Sequence, residues 1–448
     1  MSKYPTGPKG LPVLGNLSFL RGDRLKFVTE NRDRYGDIVH FRLGTRHIYQ
    51  LNNPEHIQFM LAKYPDKFHK SPALKRATKD IIGQGLLTSE DELHKRQRRL
   101  VQPAFHFKRI SSYADVMVDY TRQMIADWQP AQQYDIAHEM MRLTMRIVAK
   151  TLFDTDVTAH ADTLGSAISV GIEATAQRVM QPFGLADYLP TEANRRRREA
   201  ARTLDEAITA IINERRAIQE DKGDLLSMLL MATDEETGDP MSDRQVHNEA
   251  MTLFIAGHET TANALSWTFY LLAQHPQVEQ KLVAELQPYT TTPLTLPQLA
   301  QLPYLEMVIK ESMRLYPPAW ATTRIALEDF ELGGYHIPKG SFLMTSMYAV
   351  HRDKRYWDEP DAFRPERFSP ENEANIPKYA YFPFGGGPRV CVGNQFAMME
   401  AQLILGTILQ QYGLRLATNQ PITPQPLVTL RPLYGLPMTL QPRTVPPA

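Results

Sequence analysis

The sequence has 448 residues, of which 43% are hydrophobic and 22% charged, and its 50 basic side chains equal its 50 acidic ones. This balance gives no support to nucleic acid or an anionic membrane as a partner. The lone cysteine excludes an internal disulfide framework and predicts a reducing, cytoplasmic setting. The N-terminus has no apolar run long enough for a signal peptide, and no membrane anchor is predicted.

Strands are predicted near both ends of the chain. Apolar and polar residues alternate at 37–44 and 46–52 around a Gly-Thr turn, which indicates a hairpin. Asn53 then caps a helix that has Pro54 at its first position. Strand-like segments return in the last third, and "TLRPLYGLPMTLQP" predicts a terminal hairpin. We expect the strands of the two ends to meet.

Helix dominates between about residues 91 and 280. Periodic segments lie at 111–128, 136–153, 160–180 and 193–221. The four consecutive arginines at 195–198 are typical of a solvated helix face. A further helix begins with a capping box of Ser242 and Gln245 and runs to about residue 274, on the order of 48 Å. The sequence therefore predicts a mainly α fold with a minor β portion, in a single domain over 1–448.

The only cysteine lies in "FPFGGGPRVCVG", at 382–393. A lone cysteine is usually an inert core residue. Here the flanking glycines, Gly385, Gly386, Gly387 and Gly393, would let the backbone approach a flat ligand closely. A helix that follows Cys391 would direct its amino end at the sulfur and favour the thiolate. Such a thiolate suits a soft metal, and axial ligation of haem iron fits this context.

Two further patterns carry possible chemistry. "AGHETT" at 256–261 interrupts the long helix with residues that weaken its hydrogen-bond ladder. It indicates either a kinked core helix or a groove beside a ligand, where Glu259 and Thr260 would supply an acid and a hydroxyl for proton delivery. Glu311 and Arg314 share a helix face at i,i+3. Joined by Arg367, they would form a buried ion network.

In their order and spacing these motifs resemble those of the cytochrome P450 family, the haem-thiolate monooxygenases. "FPFGGGPRVCVG" is similar to the family's haem-binding loop, "AGHETT" to its oxygen-activation motif, and "ESMR" with "PERF" to its structural triad. The resemblance covers essentially the whole chain. It implies the cytochrome P450 fold, mainly α with a minor β portion and a long central helix over the haem.

The resemblance also implies site residues. Cys391 would be the axial thiolate ligand of haem b, with Phe384 shielding its sulfur. Glu259 and Thr260 would relay protons during catalysis. The structural triad would be Glu311, Arg314 and Arg367. The positions that match cofactor-binding residues of the family are His94, Arg98, Ala256, Arg324, Phe384, Gly385, Arg389, Cys391 and Gly393. Of these, His94, Arg98, Arg324 and Arg389 would bind the propionates, and His94 stands where many members have Trp.

The implied reaction inserts one oxygen atom of O2 into a C–H bond of a hydrophobic small molecule and reduces the other atom to water. The electrons would come from NAD(P)H through a separate ferredoxin or flavodoxin with its reductase, because no fused reductase is predicted. Lys95, Arg96 and Arg99 would dock this acidic partner or form a merely solvated face; the sequence leaves both open.

The substrate pocket is predicted from segments that line it in the family. The candidates are Leu86, Leu87, Phe254, Ile255, Trp320, Ala321, Thr322 and Leu436, and plain core packing is the alternative for each. Their apolar character suits a fatty acid, a terpenoid or a steroid-like molecule. The N-terminal and cysteine motifs are more similar to those of the fatty-acid-hydroxylase branch than to those of the camphor-type bacterial branch.

Three other functions remain open at the level of sequence. The same fold serves peroxygenases and isomerases, although the Glu259–Thr260 pair argues against both. A haem-binding sensor or carrier is a non-enzymatic alternative. A cysteine nucleophile, Cys391 activated by a histidine such as His351, is the third.

Overall fold

The computed structural model describes residues 4–20, 22–180, 189–218, 220–233 and 238–443. Helices dominate these residues, as predicted. They are α1 (Arg24–Tyr35), α2 (Pro54–Gln58), α3 (Pro72–Thr78), α4 (Asp91–Val101), α5 (Phe107–Ile110), α6 (Ala114–Ala126), α7 (Ile136–Phe153), α8 (Ala161–Met180), α9 (Glu192–Ile218), α10 (Leu225–Met231), α11 (Asp243–Gln274), α12 (Pro276–Leu286), α13 (Leu296–Leu299), α14 (Pro303–Leu315), α15 (Met347–Val350), α16 (Pro370–Glu373) and α17 (Asn394–Gln411). Among these residues no helix combines the length and apolarity that crossing a bilayer requires.

The strands are short. They are β1 (Ile38–Leu43), β2 (Arg46–Leu51), β3 (Phe68–Lys70), β4 (Gln133–Asp135), β5 (Thr322–Ala326), β6 (Phe330–Leu332), β7 (Tyr335–Ile337), β8 (Phe342–Thr345), β9 (Tyr412–Leu416), β10 (Pro424–Pro426), β11 (Leu430–Pro432) and β12 (Pro437–Pro442). The largest sheet has the order β1-β2-β8-β5-β3. The β1–β2 hairpin is confirmed, and the parallel pairing of β2 with β8 joins the two ends of the chain, as expected.

The predicted C-terminal hairpin is wrong. Strand β11 pairs with β10, whereas β12 pairs with β9 and β4. An isolated bridge between Leu433 and Gly435 is what joins β11 to β12. Pro432 and Pro437, at the facing ends of the two strands, lack the N–H that a ladder needs. Alternation in the sequence predicted the strands but not their partners.

Helix α11 runs through the main hydrophobic core and packs against α7, α14 and α17. Its capping box is confirmed, with Ser242 as N-cap and Gln245 at the third helical position. The helix has 32 residues and ends before His275, because Pro276 begins the next helix. Trp267 near its end stacks on Tyr316 at 4.1 Å between ring centroids. Burial along this length makes α11 a rigid wall for the site.

The arginine run on α9 is not wholly solvated, which corrects the prediction. Arg197 is buried and forms an ion pair with Asp80. Arg178 of α8 reaches the same carboxylate at 3.2 Å. The sequence carried no sign of this contact, since Asp80 lies more than a hundred residues away.

Candidate active site

A cavity of about 550 Å³ lies between α11 and the loop that carries Cys391. Its volume falls in the usual range for small-molecule sites. One wall is a stripe of mostly small α11 residues that recur every three or four positions. They are Leu253, Ala256, Gly257, Thr260, Thr261 and Ala264. Of the two interpretations of "AGHETT", the structure favours the groove beside a ligand.

The cysteine loop forms the facing wall. Phe384, Gly385, Cys391 and Gly393 line the cavity. The backbone N–H of Cys391 donates to the Phe384 carbonyl at 2.9 Å, which closes the loop. Cys391 lies deep in the protein. Its accessible surface faces the cavity and not the outer solvent. The sulfur therefore faces the groove of α11.

The surroundings of Cys391 act on its thiolate in opposite directions. Burial raises the pKa of the Cys391 thiol, and this effect outweighs the hydrogen bond from the Gly393 N–H and the charge of Arg98, which lower it. A bound metal cation would supply the missing stabilisation.

The loop glycines serve two different purposes. Gly385, Gly386 and Gly393 line the cavity, as expected for a close approach to a flat ligand. Gly387 lies outside that lining and has a φ of +65°, and a Cβ there would sit 1.9 Å from the Leu61 carbonyl oxygen. Its small size is required by backbone packing and not by the ligand.

We expect Gly387→Ala to destabilise the protein strongly. The substitution adds both strain at positive φ and a collision with backbone, so a loss of about 3 kcal/mol or more in the free energy of unfolding is expected. Gly340→Ala is the matched control, since Gly340 has a φ of +81° but open space around it. That control should lose only about 1 kcal/mol. Equal losses in urea unfolding would contradict the collision.

Cations gather at one end of the cavity, where Lys70, Arg324 and Arg389 line it. Glu90 faces them: its carboxylate accepts hydrogen bonds from the Arg389 guanidinium and from the Lys70 backbone N–H. Burial and Arg389 lower the pKa of Arg324 to about 10. Burial, Arg324 and Arg389 also hold the pKa of Lys70 well below its usual range. Three basic side chains face a single carboxylate, that of Glu90. This end of the cavity is therefore suited to an anionic group.

Lys70 was missed by sequence reasoning because an isolated lysine belongs to no motif. The antiparallel pairing of β3 with β5 places it opposite Arg324. The other two predicted propionate ligands, His94 and Arg98, lie outside the cavity lining on α4. Burial, followed by the charge of Arg389, lowers the pKa of His94 to about 4. Arg98 donates to the Val390 carbonyl beside the cysteine.

The predicted acid–alcohol pair is divided between two environments. Thr260 lines the cavity, and its hydroxyl donates to the Ala256 carbonyl at 3.0 Å. Glu259 is buried outside the lining, where it accepts a hydrogen bond from the Thr429 hydroxyl. Burial raises the pKa of Glu259, although Thr429 and Arg431 lower it in part. Burial thus favours the protonated form of Glu259, which lies one residue before the cavity-lining Thr260 on α11.

The ion network is assembled as expected. Arg314 grips Glu311 through two hydrogen bonds, of 2.6 and 2.8 Å, and both side chains are fully buried. Arg367 joins at 3.3 Å. Arg314 also donates to the His351 and Pro360 carbonyls at 2.8 and 2.6 Å. The network fastens α14 to the segment that precedes the cysteine loop.

Half of the residues predicted for the substrate pocket line the cavity. Leu87, Trp320, Ala321 and Thr322 line the cavity, whereas Leu86, Phe254, Ile255 and Leu436 do not. Phe254 turns towards α7 and packs against Phe153, 5.8 Å between ring centroids. Ile255 packs against the main core, and Leu86 and Leu436 are buried within it. Positions 254 and 255 lie between the cavity-facing positions of α11, which are 253, 256 and 257, and their side chains face other elements.

Leu427 and Val428 also line the cavity and were not predicted. They lie in the connection between β10 and β11. Leu436 was predicted because its segment lines the cavity in the family, but the structure buries this residue in the core. The different pairing of β11 is what brings this connection to the site.

A buried acid fastens the loop that carries Leu87 to α11. Glu249 accepts a hydrogen bond from the Leu86 N–H at 2.9 Å, and its other oxygen has no partner within the described chain. Burial raises the pKa of Glu249 from 4.5 to about 7. At pH values between these two pKa values, ionisation of Glu249 therefore opposes folding.

We expect stability to depend on pH through Glu249. Between about pH 4.5 and 7 the folded chain holds a proton that the unfolded chain releases, so stability falls as pH rises. Glu249→Gln removes this loss, and its stability relative to wild type should rise by up to about 3 kcal/mol from pH 5 to pH 8. Urea unfolding at both pH values measures the difference. Glu206→Gln on α9 is the control, and a pH-independent difference for Glu249→Gln would contradict the assignment.

The residues present fit haem b. The sulfur of Cys391 is a soft donor on one wall, and the small residues of α11 leave a groove on the other. The excess cations Lys70, Arg324 and Arg389 at one end match the two propionates of the macrocycle. This donor set and this cavity define a haem-thiolate protein.

Comparison with known proteins agrees with this class. The family model described as Cytochrome P450 matches residues 5–438. Cyclooctatin synthase of Streptomyces melanosporofaciens is 38% identical over 96% of this chain and 94% of its own length. Cyclooctat-9-en-7-ol 5-monooxygenase of the same species is 36% identical over 92% and 89%. Pentalenene oxygenase of Streptomyces avermitilis is 32% identical over 98% and 97%.

The chain belongs to the cytochrome P450 family. It is a haem-thiolate monooxygenase that takes haem b with an axial cysteine thiolate, uses O2, and receives electrons from NAD(P)H through a redox partner. Its substrate is a hydrophobic small molecule. The resemblance seen in the motifs is confirmed over the length of the chain.

Proposed function

We propose that the protein hydroxylates a hydrophobic terpenoid, an alkene or the alcohol derived from one. The observation that carries this proposal is the cavity itself, in which the groove of α11 faces Cys391 between apolar walls. Leu87, Ala321 and Val428 present apolar side chains to a substrate, and the lining also includes Arg46, whose guanidinium lies 5.5 Å from the centroid of the Phe342 ring. The similar oxygenases named for pentalenene and cyclooctat-9-en-7-ol support a terpenoid over a fatty acid.

In this proposal the sulfur of Cys391 would bind the haem iron, and Lys70, Arg324 and Arg389 would hold the propionates. Arg389 would exchange part of its contact with Glu90 for a propionate. His94 and Arg98 supply positive potential from α4. The bound haem supplies the oxidising chemistry, with the thiolate donating electron density to the iron.

The remaining residues orient substrate and handle protons. The apolar wall places the substrate and excludes bulk water from the groove. Burial raises the pKa of the Glu259 carboxyl and so favours its protonated form. Thr260 presents its hydroxyl to the cavity, where it would pass a proton onward or order a water molecule. This division of roles rests on the positions of the two side chains on α11.

A separate ferredoxin or flavodoxin, with its reductase, is proposed as the electron donor. Lys95 and Arg99 are exposed on α4 and would meet an acidic partner, whereas Arg96 donates to the Asp239 and Pro240 carbonyls at 3.1 and 3.2 Å. We further propose a cytoplasmic location, which the unpaired Cys391 supports, and one domain over 1–448, which the core shared by distant elements supports.

A binding titration tests the substrate class. The haem-loaded protein is titrated with a cyclic terpene alkene, its alcohol, a fatty acid and a steroid, and the spin-state shift of the haem is recorded. We expect the terpenoids to bind most tightly and to be hydroxylated with NAD(P)H and redox partners. Tighter binding of the fatty acid would overturn the substrate class. Faster turnover with hydrogen peroxide alone would favour a peroxygenase.

Filling the cavity should weaken substrate binding. Ala321 lines the cavity, and Ala321→Phe adds a ring where the proposal places substrate. We expect the dissociation constant of the preferred terpenoid to rise at least about tenfold, while the carbon monoxide spectrum stays normal. Ala210→Phe on the exposed side of α9 is the control. An unchanged dissociation constant for Ala321→Phe would place the substrate elsewhere.

A further inference from the structure

Glu400 is a fully buried acid on α17 that the proposed roles do not use. Both of its carboxyl oxygens are buried and neither has a hydrogen-bond partner in the described part of the chain. No described cation forms an ion pair with it, and burial and Thr261 are the influences on its charge state. A carboxylate without a compensating charge is strongly disfavoured in such a place.

Thr261 is the group that faces this acid. It lies on α11 beside Thr260 and lines the cavity. Its hydroxyl is close enough to lower the pKa of Glu400, although the two groups do not meet in a regular hydrogen bond here. The two side chains therefore lie where α11 packs against α17, the helix that follows the cysteine loop.

Thr261 also differs from every other serine and threonine of α11. The side chains of Thr252, Thr260, Ser266 and Thr268 each donate to the carbonyl four residues earlier, at 2.6 to 3.0 Å. The Thr261 hydroxyl makes no such bond and is left without a partner. Because a helical threonine normally takes the bond to its own backbone, something must hold Thr261 away from it.

We propose that Glu400 is a neutral positioning residue whose carboxylic O–H donates to the Thr261 hydroxyl and keeps that hydroxyl off the α11 backbone. The hydrogen of Thr261 is then free to be donated to a group in the cavity, next to Thr260. Without Glu400, the side chain of Thr261 would rotate to the Gly257 carbonyl, and the cavity would lose a donor. The catalytic part of this inference rests on the proposed monooxygenase site.

The protonation state can be tested without catalysis. The infrared spectrum of the haem-loaded wild type at neutral pH should contain a protonated-carboxyl C=O band that is lost in Glu400→Gln. It should shift in Thr261→Val, which removes the hydroxyl partner, and stay in place in Thr407→Val. Thr407 is the matched control, since its buried hydroxyl lies on the same helix and also has no partner. A carboxylate band in the wild-type minus Glu400→Gln difference would overturn the proposal, whatever the substrate.

The positioning role is tested by coupling, the ratio of product formed to NAD(P)H consumed. We expect Glu400→Met and Thr261→Val each to lower this ratio about threefold or more, and the double variant to be no worse than either. Glu400→Gln retains a donor and should stay within about twofold of wild type, as should Thr407→Val. Additive losses, or a normal ratio in Glu400→Met, would overturn the role. If Glu400→Met does not fold, Thr261→Val and Glu400→Gln still decide it.

Discussion

Cys391→Ala is expected to abolish the red-shifted Soret band that thiolate-ligated haem shows with carbon monoxide after reduction. Because Cys391 is the only cysteine, no other side chain of the chain can supply a thiolate. Hydroxylation should fall by at least about a thousandfold, since the electron donation that favours O–O cleavage is lost. The difference spectrum and a product assay on the same sample measure both effects.

The control for this variant is Val390→Ala, which alters a neighbour outside the cavity lining. It should keep the red-shifted band. The cationic residues Lys70 and Arg324 remain in Cys391→Ala, so that variant should still take up haem when it is supplied in excess. A red-shifted band that persists in folded Cys391→Ala would contradict the assignment of the ligand.

Glu311→Ala is expected to cost about 3–5 kcal/mol in the free energy of unfolding. The substitution leaves the guanidinium of Arg314 buried without its carboxylate, and breaking one side of a buried ion pair carries this penalty. It also removes the acceptor of the Arg364 backbone N–H, now bonded at 2.9 Å. Because the network holds the segment before the cysteine loop, the variant should also retain less haem. Urea unfolding and haem content of the purified protein measure the two losses.

Arg364→Ala is the matched control from the same neighbourhood. Arg364 pairs with Glu359 at 2.7 Å, but both side chains are about half exposed or more, so the pair is screened by water. The loss should be no more than about 1 kcal/mol. Similar losses in Arg364→Ala and Glu311→Ala would show that burial does not set the strength of the network.

Local patterns were the most predictable part of the molecule. Three of these patterns each lie within a short stretch of chain. They are the capping box of Ser242 and Gln245, the i,i+3 pair of Glu311 and Arg314, and the loop around Cys391. Their geometry depends on neighbours in sequence, so the structure reproduces them. The same locality explains why the helix bounds were predicted to within a few residues.

Several residues were missed or misassigned because their partners lie on other elements of the fold. Lys70 reaches the site through the β3–β5 pairing, and Val428 through the pairing of β10 with β11. Arg197 was assigned to solvent because its partner Asp80 lies on another element. Phe254 was assigned to the pocket although its position on α11 turns it towards α7. The periodicity of one segment predicts its secondary structure but does not identify the segment that packs against it.

By itself the sequence determined the class of chemistry and the elements that carry it, because the lone Cys391 loop, the "AGHETT" helix and the ion pair are local arrangements. The tertiary structure alone decided the surroundings of these groups and the direction in which their pKa values move. Burial raises the pKa of the Cys391 thiol and of the Glu259 carboxyl, and it leaves Glu400 facing Thr261 without a cation. Desolvation depends on every atom packed around a group, and those atoms come from the whole chain.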